Sequence, residues 1–298
     1  MVFRDASGGR YLSAVRRARF LVVLAVAACA TPANYTGAGP RYASPPAPVP
    51  LLPAGRDAAA DSLHVVTFNI QFALHVDRAI ALIRATPELA RADVMMLQEM
   101  DEPGTRAIAE SLEMRYVYYP ATVHPHTGRD FGDAILSRWP LVDDHKVILP
   151  HLGRFEHTQR IAVGATVLAG GTPIRVYSVH LGTGVETPPH SKRDQVAEVM
   201  ADAANYPLVI IAGDMNSYAV GDQFTARGYR WITERDAATV HWFNWDHMFL
   251  SGFPSADART GVVHDNRGAS DHRPVWAVIP LPRHPGLPTV STPATSSP

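Results

Sequence analysis

The sequence is poor in cysteine, in long apolar runs and, across its central part, in basic residues. Cys29 is the only cysteine among the 298 residues, so no disulfide forms within the chain and no thiolate cluster holds a metal. The apolar run LVVLAVAAC at 21–29 is too short to span a bilayer. Residues 61–280 hold 19 basic and 26 acidic side chains, a net charge of −7, which argues against a broad basic surface for nucleic acid.

The amino terminus has the pattern of an export signal. The basic segment RRARF precedes the apolar run, which is typical of a signal peptide over residues 1–29. The run ends in Val26-Ala27-Ala28-Cys29, which resembles a bacterial lipobox and favours lipidation of Cys29 and attachment to a membrane. Ordinary cleavage within Ala28-Cys29-Ala30 is the alternative. Under both interpretations we expect an extracytoplasmic protein, either a periplasmic or cell-surface lipoprotein or a secreted one.

Composition divides the rest of the chain into three parts. Residues 30–60 include SPPAPVPLLPAG and are expected to form an extended, Pro-rich linker. Residues 61–280 have the mixture of apolar and charged residues of a soluble globular domain with a sizeable core. Residues 281–298 are rich in Pro, Ser and Thr, and we expect a disordered tail.

Short apolar segments alternate with helical patterns between residues 61 and 280. Val196, Val199 and Met200 recur at helical spacing, which predicts a helix over 189–204. Strands are predicted for HVVTFNI (64–70), DVMMLQE (93–99), FGDAILS (131–137), IAVGATVL (161–168), IRVYSVHL (174–181), PLVIIAGD (207–214), WDHMFL (245–250) and PVWAVI (274–279). Many strands with few helices favour two sheets packed face to face and covered by helices.

Polar residues that could take part in catalysis or metal binding lie at the ends of these strands. They are Asn69, Glu99, His180, Asp214, Asn216, Asp246, Asp271 and His272. Taken singly, each fits a turn, a helix cap or a buried histidine with a partner. Because loops at strand ends commonly carry the site on such a scaffold, their joint occurrence predicts one functional site.

The chemistry of this set is that of a metal-assisted hydrolase. Carboxylate and amide oxygens favour Mg²⁺, with Mn²⁺ as the alternative, over zinc. An ion held by Glu99 would polarise a phosphoryl oxygen and stabilise a leaving oxyanion. An imidazole fixed by a carboxylate activates water, and Asp246 with His272 is the expected pair. The residues therefore predict hydrolysis of phosphate esters without a required covalent intermediate.

Seven short motifs occur in the order seen in one known family. They are TFN, LQE, FGDAILSRWP, VHL, GDMN, the Asp of WDHMFL and SDHRPV. Over about residues 63–280 the sequence resembles the endonuclease/exonuclease/phosphatase superfamily, which has the deoxyribonuclease-I-like fold. The resemblance implies an α/β fold, a four-layered α/β/β/α sandwich of two packed, mainly antiparallel sheets flanked by helices. It also implies a Mg²⁺-dependent phosphoesterase.

The resemblance implies which residues bind the metal. Glu99 is the expected principal ligand, Asn69 its neighbour, and Asp271 a ligand or an acid behind the ligands. Whether one or two metal ions bind is left open. Asp133 and Arg138, within the FGDAILSRWP motif, are expected to shape the fold.

The resemblance also implies a set of catalytic residues. They are His180, Asp214, Asn216, Asp246 and His272. His180 is expected to bind phosphate or to act as an acid, while Asp214 and Asn216 contact the attacking water, the phosphate and, in one interpretation, a metal. Asp246 orients His272, and both His272 and Asp214 stay open as the base.

The substrate and the class of function have alternatives. The expected substrate is a phosphate ester: nucleic acid, a phosphorylated small molecule such as an inositol or sugar phosphate, or a lipid headgroup of the sphingomyelin type. The chain is expected to act as a monomer. The alternative is an inactive, surface-anchored binding domain of the same fold, which loss of a motif acid or base would indicate. All of those residues are present.

Lys192 and Arg193 are expected on the exposed face of their helix.

Overall fold

A computed structural model of the protein describes residues 33–45, 61–254 and 258–282. The predicted signal peptide with Cys29 lies outside the described residues, as does nearly all of the predicted tail. Among the described residues, none of the helices combines the length and the hydropathy needed to cross a membrane.

The described chain contains fourteen strands, five α-helices and one short 3₁₀ turn. The strands are β1 (Ala33–Asn34), β2 (Tyr42–Ala43), β3 (Ser62–Asn69), β4 (Val94–Met100), β5 (Arg115–Val123), β6 (Asp130–Ser137), β7 (Leu141–Ile148), β8 (Ile161–Ala169), β9 (Thr172–His180), β10 (Val209–Asp214), β11 (Arg230–Trp231), β12 (Asp246–Ser251), β13 (Arg259–Val262) and β14 (Val275–Pro280). The helices are α1 (Val76–Ala85), α2 (Pro87–Ala90), α3 (Glu102–Ser111), α4 (Pro189–Ala203) and α5 (Gly221–Thr225), with the 3₁₀ turn at Gln71–Ala73.

The strands form two mixed sheets. The first has the order β1-β5-β6-β4-β3-β14-β13, with β2 also paired to β5, and the second has the order β11-β12-β10-β9-β8-β7. Only the β3–β4 and β9–β10 pairs are parallel among the described strands. The prediction of two mainly antiparallel sheets is confirmed.

Side chains alternate between two faces along each strand, and this alternation produces the layers. In β3, Leu63 and Val65 enter a core between the two sheets, whereas Val66 and Phe68 enter a second core with residues of α1 and α3. A third core lies between the second sheet and α4, and includes Val196. The order is therefore helix, sheet, sheet, helix, as the resemblance implied.

Residues 33–44 depart from the predicted linker over 30–60. Ala33 in β1 pairs with Val123, and Tyr42 in β2 pairs with Tyr118. Arg41 forms two hydrogen bonds with the carboxylate of Asp144, at 2.6 and 2.7 Å. The reason is that β5 is otherwise an edge strand, and its open N–H and C=O groups bind this amino-terminal arm. The expectation of an extended tether does not hold for the arm.

Candidate active site

Strand periodicity places several of the predicted site residues on one surface. Asn69, His180, Asp214 and Asp246 lie at strand ends and have the same parity as the residues that face the core between the sheets. These side chains therefore lie at the edge of the core between the sheets. Asn69 comes from the first sheet and the other three from the second, and together they form one cluster. All four side chains are buried.

Glu99 reaches the same cluster by a local irregularity of β4. Its neighbours Met95 and Leu97 face α1 and α3, so simple alternation would direct Glu99 away from the site. The pairing with β6 shifts register between Leu97 and Met100, and Glu99 has a φ of 58°. A β-bulge of this kind re-aims a side chain, and a non-glycine residue at positive φ is a strained position typical of functional sites.

The turn after β10 has its own backbone requirements. Gly213 has a φ of 153°, and a Cβ there would lie 1.9 Å from the carbonyl oxygen of Val179. Only glycine therefore permits this approach of β10 to β9. Asn216 has a φ of 48°, a left-handed conformation that asparagine tolerates, and its N–H donates to Asp214 Oδ1 at 2.8 Å.

Asn69 joins the two buried carboxylates. Its amide nitrogen donates to Glu99 Oε1 at 3.0 Å and to Asp214 Oδ2 at 3.1 Å. Its amide oxygen accepts the N–H of Gln71 at 3.0 Å, so in this arrangement the nitrogen faces the acids. Ligation of a metal by Asn69 stays a prediction that requires the amide to turn.

Burial dominates the electrostatics of these acids. It raises the pKa of Glu99, although Asn69 and the charge of Arg160 oppose that rise. Burial also raises the pKa of Asp214, to about 7, with His272 opposing and Asp246 adding to the effect. Buried carboxylates need a compensating cation. The raised pKa values of Glu99 and Asp214 show that the nearby basic groups do not fully compensate their charges.

His180 and Arg160 form the basic side of the cluster. His180 Nε2 lies 3.5 Å from Asp214 Oδ2 and 3.8 Å from Glu99 Oε1. A guanidinium nitrogen of Arg160 lies 2.9 Å from Nδ1 of His180, and Arg160 also stacks over the ring of Phe131. Burial, together with Arg160 and His272, lowers the pKa of His180 well below its ordinary value, so His180 is neutral.

Asp246 and His272 form the predicted acid and imidazole pair. His272 Nδ1 lies 2.9 Å from Asp246 Oδ2, and His272 Nε2 lies 3.7 Å from Asp214 Oδ2. Burial disfavours the imidazolium, but the charges of Asp246 and Asp214 outweigh it and raise the pKa of His272 to about 10. The structure thus holds the imidazole with one nitrogen on Asp246 and the other directed into the acid cluster.

Two predicted residues lie at the margin of the cluster. Asp271 is exposed, yet it is near enough to Glu99 and His272 to raise the pKa of both. Asn216 donates its amide to the carbonyl oxygen of Leu181 at 3.0 Å and to Asp214 Oδ2 at 3.3 Å. The structure therefore brings the predicted residues together, with Asp271 at the mouth.

Arg160 and Lys192 are site residues that the sequence reasoning missed. Arg160 follows a loop of Gly, Thr and His residues without a strand signal of its own. Lys192, expected on an exposed face of α4, is instead buried, and burial lowers its pKa to about 8. It donates to the carbonyl oxygen of Asn216, so the expectation was wrong for Lys192. The sequence signal was its position four residues before Val196, on the apolar face of the predicted helix.

Asp133 also lies closer to the site than predicted. Burial raises its pKa well above the ordinary value, Arg160 opposes this, and the charges of Glu99 and Asp214 add to it. Arg138 does shape the fold, because it donates to the carbonyl oxygens of Ala90, Ala92 and Leu112.

The cluster fits a divalent cation. Ligand atoms of Glu99, His180 and Asp214 lie within 4.8 Å of one another, and so do those of Asp214, Asp246 and His272. Asp133 Oδ2 is buried without a hydrogen-bond partner among the described residues. Buried carboxylate oxygens in excess of nearby cations are the donor set that Mg²⁺ and Mn²⁺ prefer.

A family comparison decides which known proteins share this arrangement. The model of the Endonuclease/Exonuclease/phosphatase family matches residues 66–272, a span from β3 to His272 that includes each strand end described above. The chain belongs to the endonuclease/exonuclease/phosphatase family. Members of this family are generally metal-dependent phosphoester hydrolases.

Solved structures of family members confirm the fold. An endonuclease/exonuclease/phosphatase from Beutenbergia cavernae is 20% identical, with a TM-score of 0.60 over 74% of this chain and 72% of that one. Sphingomyelinase C from Streptomyces griseocarneus is 18% identical, with a TM-score of 0.58 over 74% of this chain and all of that one. TDP2 of D. rerio, complexed with a single-strand DNA product, is 14% identical, with a TM-score of 0.58 over 74% and 99%. None of the curated proteins compared with the sequence matches it.

Replacing Arg160 with Gln is expected to lower kcat of this family member by about ten- to a hundredfold, because the site loses its buried positive charge beside His180. The measurement is steady-state hydrolysis of bis-p-nitrophenyl phosphate. Arg154→Gln is the matched control, since Arg154 is an exposed arginine of the same loop. Equal rates for the two variants would exclude a role for Arg160 in the reaction.

Proposed function

We propose that the protein is a metal-dependent phosphoesterase that hydrolyses phosphodiester or phosphomonoester bonds outside the cytoplasm by attack of water. One observation carries the proposal: a histidine fixed by Asp246 points its second nitrogen at Asp214, in the same cluster as the buried Glu99. Binding without catalysis is the weaker alternative, because a pure binding site has no need of this pair.

In the proposed reaction the protein's own groups bind, orient and move protons. The Arg160 guanidinium would neutralise charge on the phosphoryl oxygens, and neutral His180 would donate a hydrogen bond to them. The acids around His272 raise its pKa to about 10, and the charge of a bound divalent ion would lower that pKa again. With the Nδ1 proton held by Asp246, the deprotonated Nε2 would then accept a proton from water. Glu99 is the principal ligand of a divalent ion, Mg²⁺ or Mn²⁺, which when bound polarises the phosphoryl group. Asp214 lies between His180 and His272, with its Oδ2 3.5 Å and 3.7 Å from their Nε2 atoms. It is the second candidate for the base.

Chelation is expected to abolish activity. EDTA should remove hydrolysis of bis-p-nitrophenyl phosphate, and Mg²⁺ or Mn²⁺ should restore it, because buried carboxylates without a cation cannot stabilise an added phosphate. The control is addition of Ca²⁺, which has longer bonds and a larger coordination number and should restore less. Activity that survives exhaustive chelation would exclude the metal assignment.

The substrate class is best resolved by a panel. Plasmid DNA, RNA, inositol phosphates and sphingomyelin are incubated with Mg²⁺ and the protein, and cleavage or phosphate release is measured. Family relatives that act on DNA and on sphingomyelin share the fold, so fold alone does not select among them.

Localisation is part of the proposal and rests on the sequence of residues 1–29. Cys29→Ala is expected to move the protein from the membrane fraction to the soluble fraction of cells, because lipidation needs the cysteine thiol. Immunoblots of the two fractions measure the shift, with Cys29→Ser as a second variant. If both variants stay on the membrane, the result counts against lipidation of Cys29 as the group that holds the protein there.

A further inference from the structure

The exposed apolar side chains of the protein are unevenly distributed. Among the described residues, nine large apolar side chains are exposed, and Tyr42 and Val142 lie away from the site. The other seven lie on loops that carry site residues or bond to them, and they are named the apolar rim: Leu74, Leu152, Phe155, Val185, Tyr218, Trp242 and Phe243. Trp242 is 88% exposed and Val185 is 77% exposed. Clustered exposure on this scale marks an interaction surface.

The first-sheet side of the rim is tied directly to the site. Leu74 follows the 3₁₀ turn in which the N–H of Phe72 donates to Glu99 Oε2 at 3.1 Å. Leu152 and Phe155 lie on the loop that ends at Arg160. These three residues therefore lie on the two loops that contact Glu99 or end at Arg160.

The second-sheet side of the rim lies on loops next to His180, Asn216 and Asp246. Val185 lies on the loop after His180, and this loop bonds to the Arg160 loop through Arg154 N and Glu186 O at 3.0 Å. Tyr218 follows Asn216 by two residues, and Trp242 with Phe243 precedes Asp246. Every loop that carries the rim therefore also carries or bonds to a residue of the site.

The amino-terminal arm meets the protein at the same edge. Ala33, the first described residue, pairs with Val123 at the end of β5. Asn34 donates to the carbonyl oxygen of His157 at 2.8 Å and accepts from the N–H of Gln159 at 2.9 Å. Ala33 lies four positions after Cys29, a reach of about 14 Å when the chain is extended. A lipid on Cys29 would therefore tether the domain to the bilayer by a short stretch of chain that ends at Ala33.

We propose that the apolar rim rests on a lipid surface and presents the site to phosphate esters of lipid headgroups. The inference rests on the proposed function for its chemistry and on the rim and the arm for its geometry. Trp, Tyr and Phe are the side chains that favour the interface between water and lipid. The net charge of −7 over residues 61–280 argues for docking by apolar contact on zwitterionic lipid, without electrostatic attraction to anionic lipid.

The test uses the full chain in a Val23→Asp, Val26→Asp background, so that the apolar run of residues 21–29 no longer binds lipid by itself. Sedimentation with phosphatidylcholine and sphingomyelin vesicles measures binding. The rim variant carries Trp242→Ser and Val185→Ser. The matched control carries Tyr42→Ser and Val142→Ser, which likewise removes one exposed aromatic and one exposed aliphatic side chain.

The rim variant is expected to bind the vesicles at least about tenfold more weakly than the control, with unchanged hydrolysis of soluble bis-p-nitrophenyl phosphate. Hydrolysis of vesicle lipid should fall in parallel with binding. Equal binding of both variants, no binding of the background chain, or binding that requires added phosphatidylserine and disappears in salt would each overturn docking by the rim. Hydrolysis of the soluble diester without hydrolysis of vesicle lipid would overturn the substrate class. Absence of hydrolysis on both substrates rejects the proposed function, while the sedimentation result still decides the docking surface.

Discussion

Replacing Glu99 with Gln is expected to lower kcat for bis-p-nitrophenyl phosphate by about two to four orders of magnitude while the domain stays folded. The amide keeps the shape of the side chain and a partner for the N–H of Phe72, but it removes the charge that would bind the divalent ion. Steady-state kinetics over a range of Mg²⁺ concentrations, with calorimetry of Mn²⁺ binding, measure both losses.

Glu110→Gln is the matched control for this variant. Glu110 is an exposed glutamate on α3, and its substitution makes the same change from carboxylate to amide. Its kcat and Mn²⁺ affinity should equal those of the wild type. Near-normal turnover of Glu99→Gln, with Mn²⁺ still bound, would reject Glu99 as the principal ligand. A lower melting temperature alone would not produce the expected dependence on the Mg²⁺ concentration.

The second large effect is expected at the imidazole. His272→Ala removes the nitrogen that lies 3.7 Å from Asp214, and kcat should fall by about a hundred- to ten-thousandfold. Asp246→Asn should produce a loss of similar size, because an amide at 2.9 Å no longer selects the tautomer with Nε2 free. Single-turnover kinetics separate these losses from changes in substrate binding.

The double variant of Asp246 and His272 gives the sharper result. Because the two residues act as one unit, the double variant should be about as slow as His272→Ala alone. Multiplied losses would show that they act independently. His190→Ala, an exposed histidine, should keep wild-type activity. If His272→Ala does too, Asp214 is left as the base.

Much of the candidate site follows from periodicity in the sequence. Asn69, His180 and Asp214 end strands whose alternate residues are apolar, so two-residue alternation assigns them to the face that the apolar residues bury. The same pattern explains why two packed sheets were predictable. Edge strands such as β7, with the acids and the lysine of LVDDHKVI, lack that pattern and were not predicted.

The features that could not be predicted from the sequence depend on contacts between segments that are distant in the chain. Glu99 was predicted as a site residue, but no local pattern of β4 indicates the β-bulge that turns its side chain toward the site. Arg160 becomes a site residue because His180 lies against it, 20 positions later. The arm was predicted as a linker because Pro and Gly dominate its surroundings, yet β1 and β2 find a partner in β5. Local propensity yields to tertiary pairing in each of these cases.

The position of β14 determines when activity can arise during synthesis. This last strand inserts between β3 and β13, and His272 precedes it by only three residues. A nascent or truncated chain that stops before residue 272 carries Glu99 and Asp214 but lacks the imidazole, and its β3 has an open edge. Under the proposed mechanism with His272 as the base, hydrolysis would therefore begin only after the entire domain has been made.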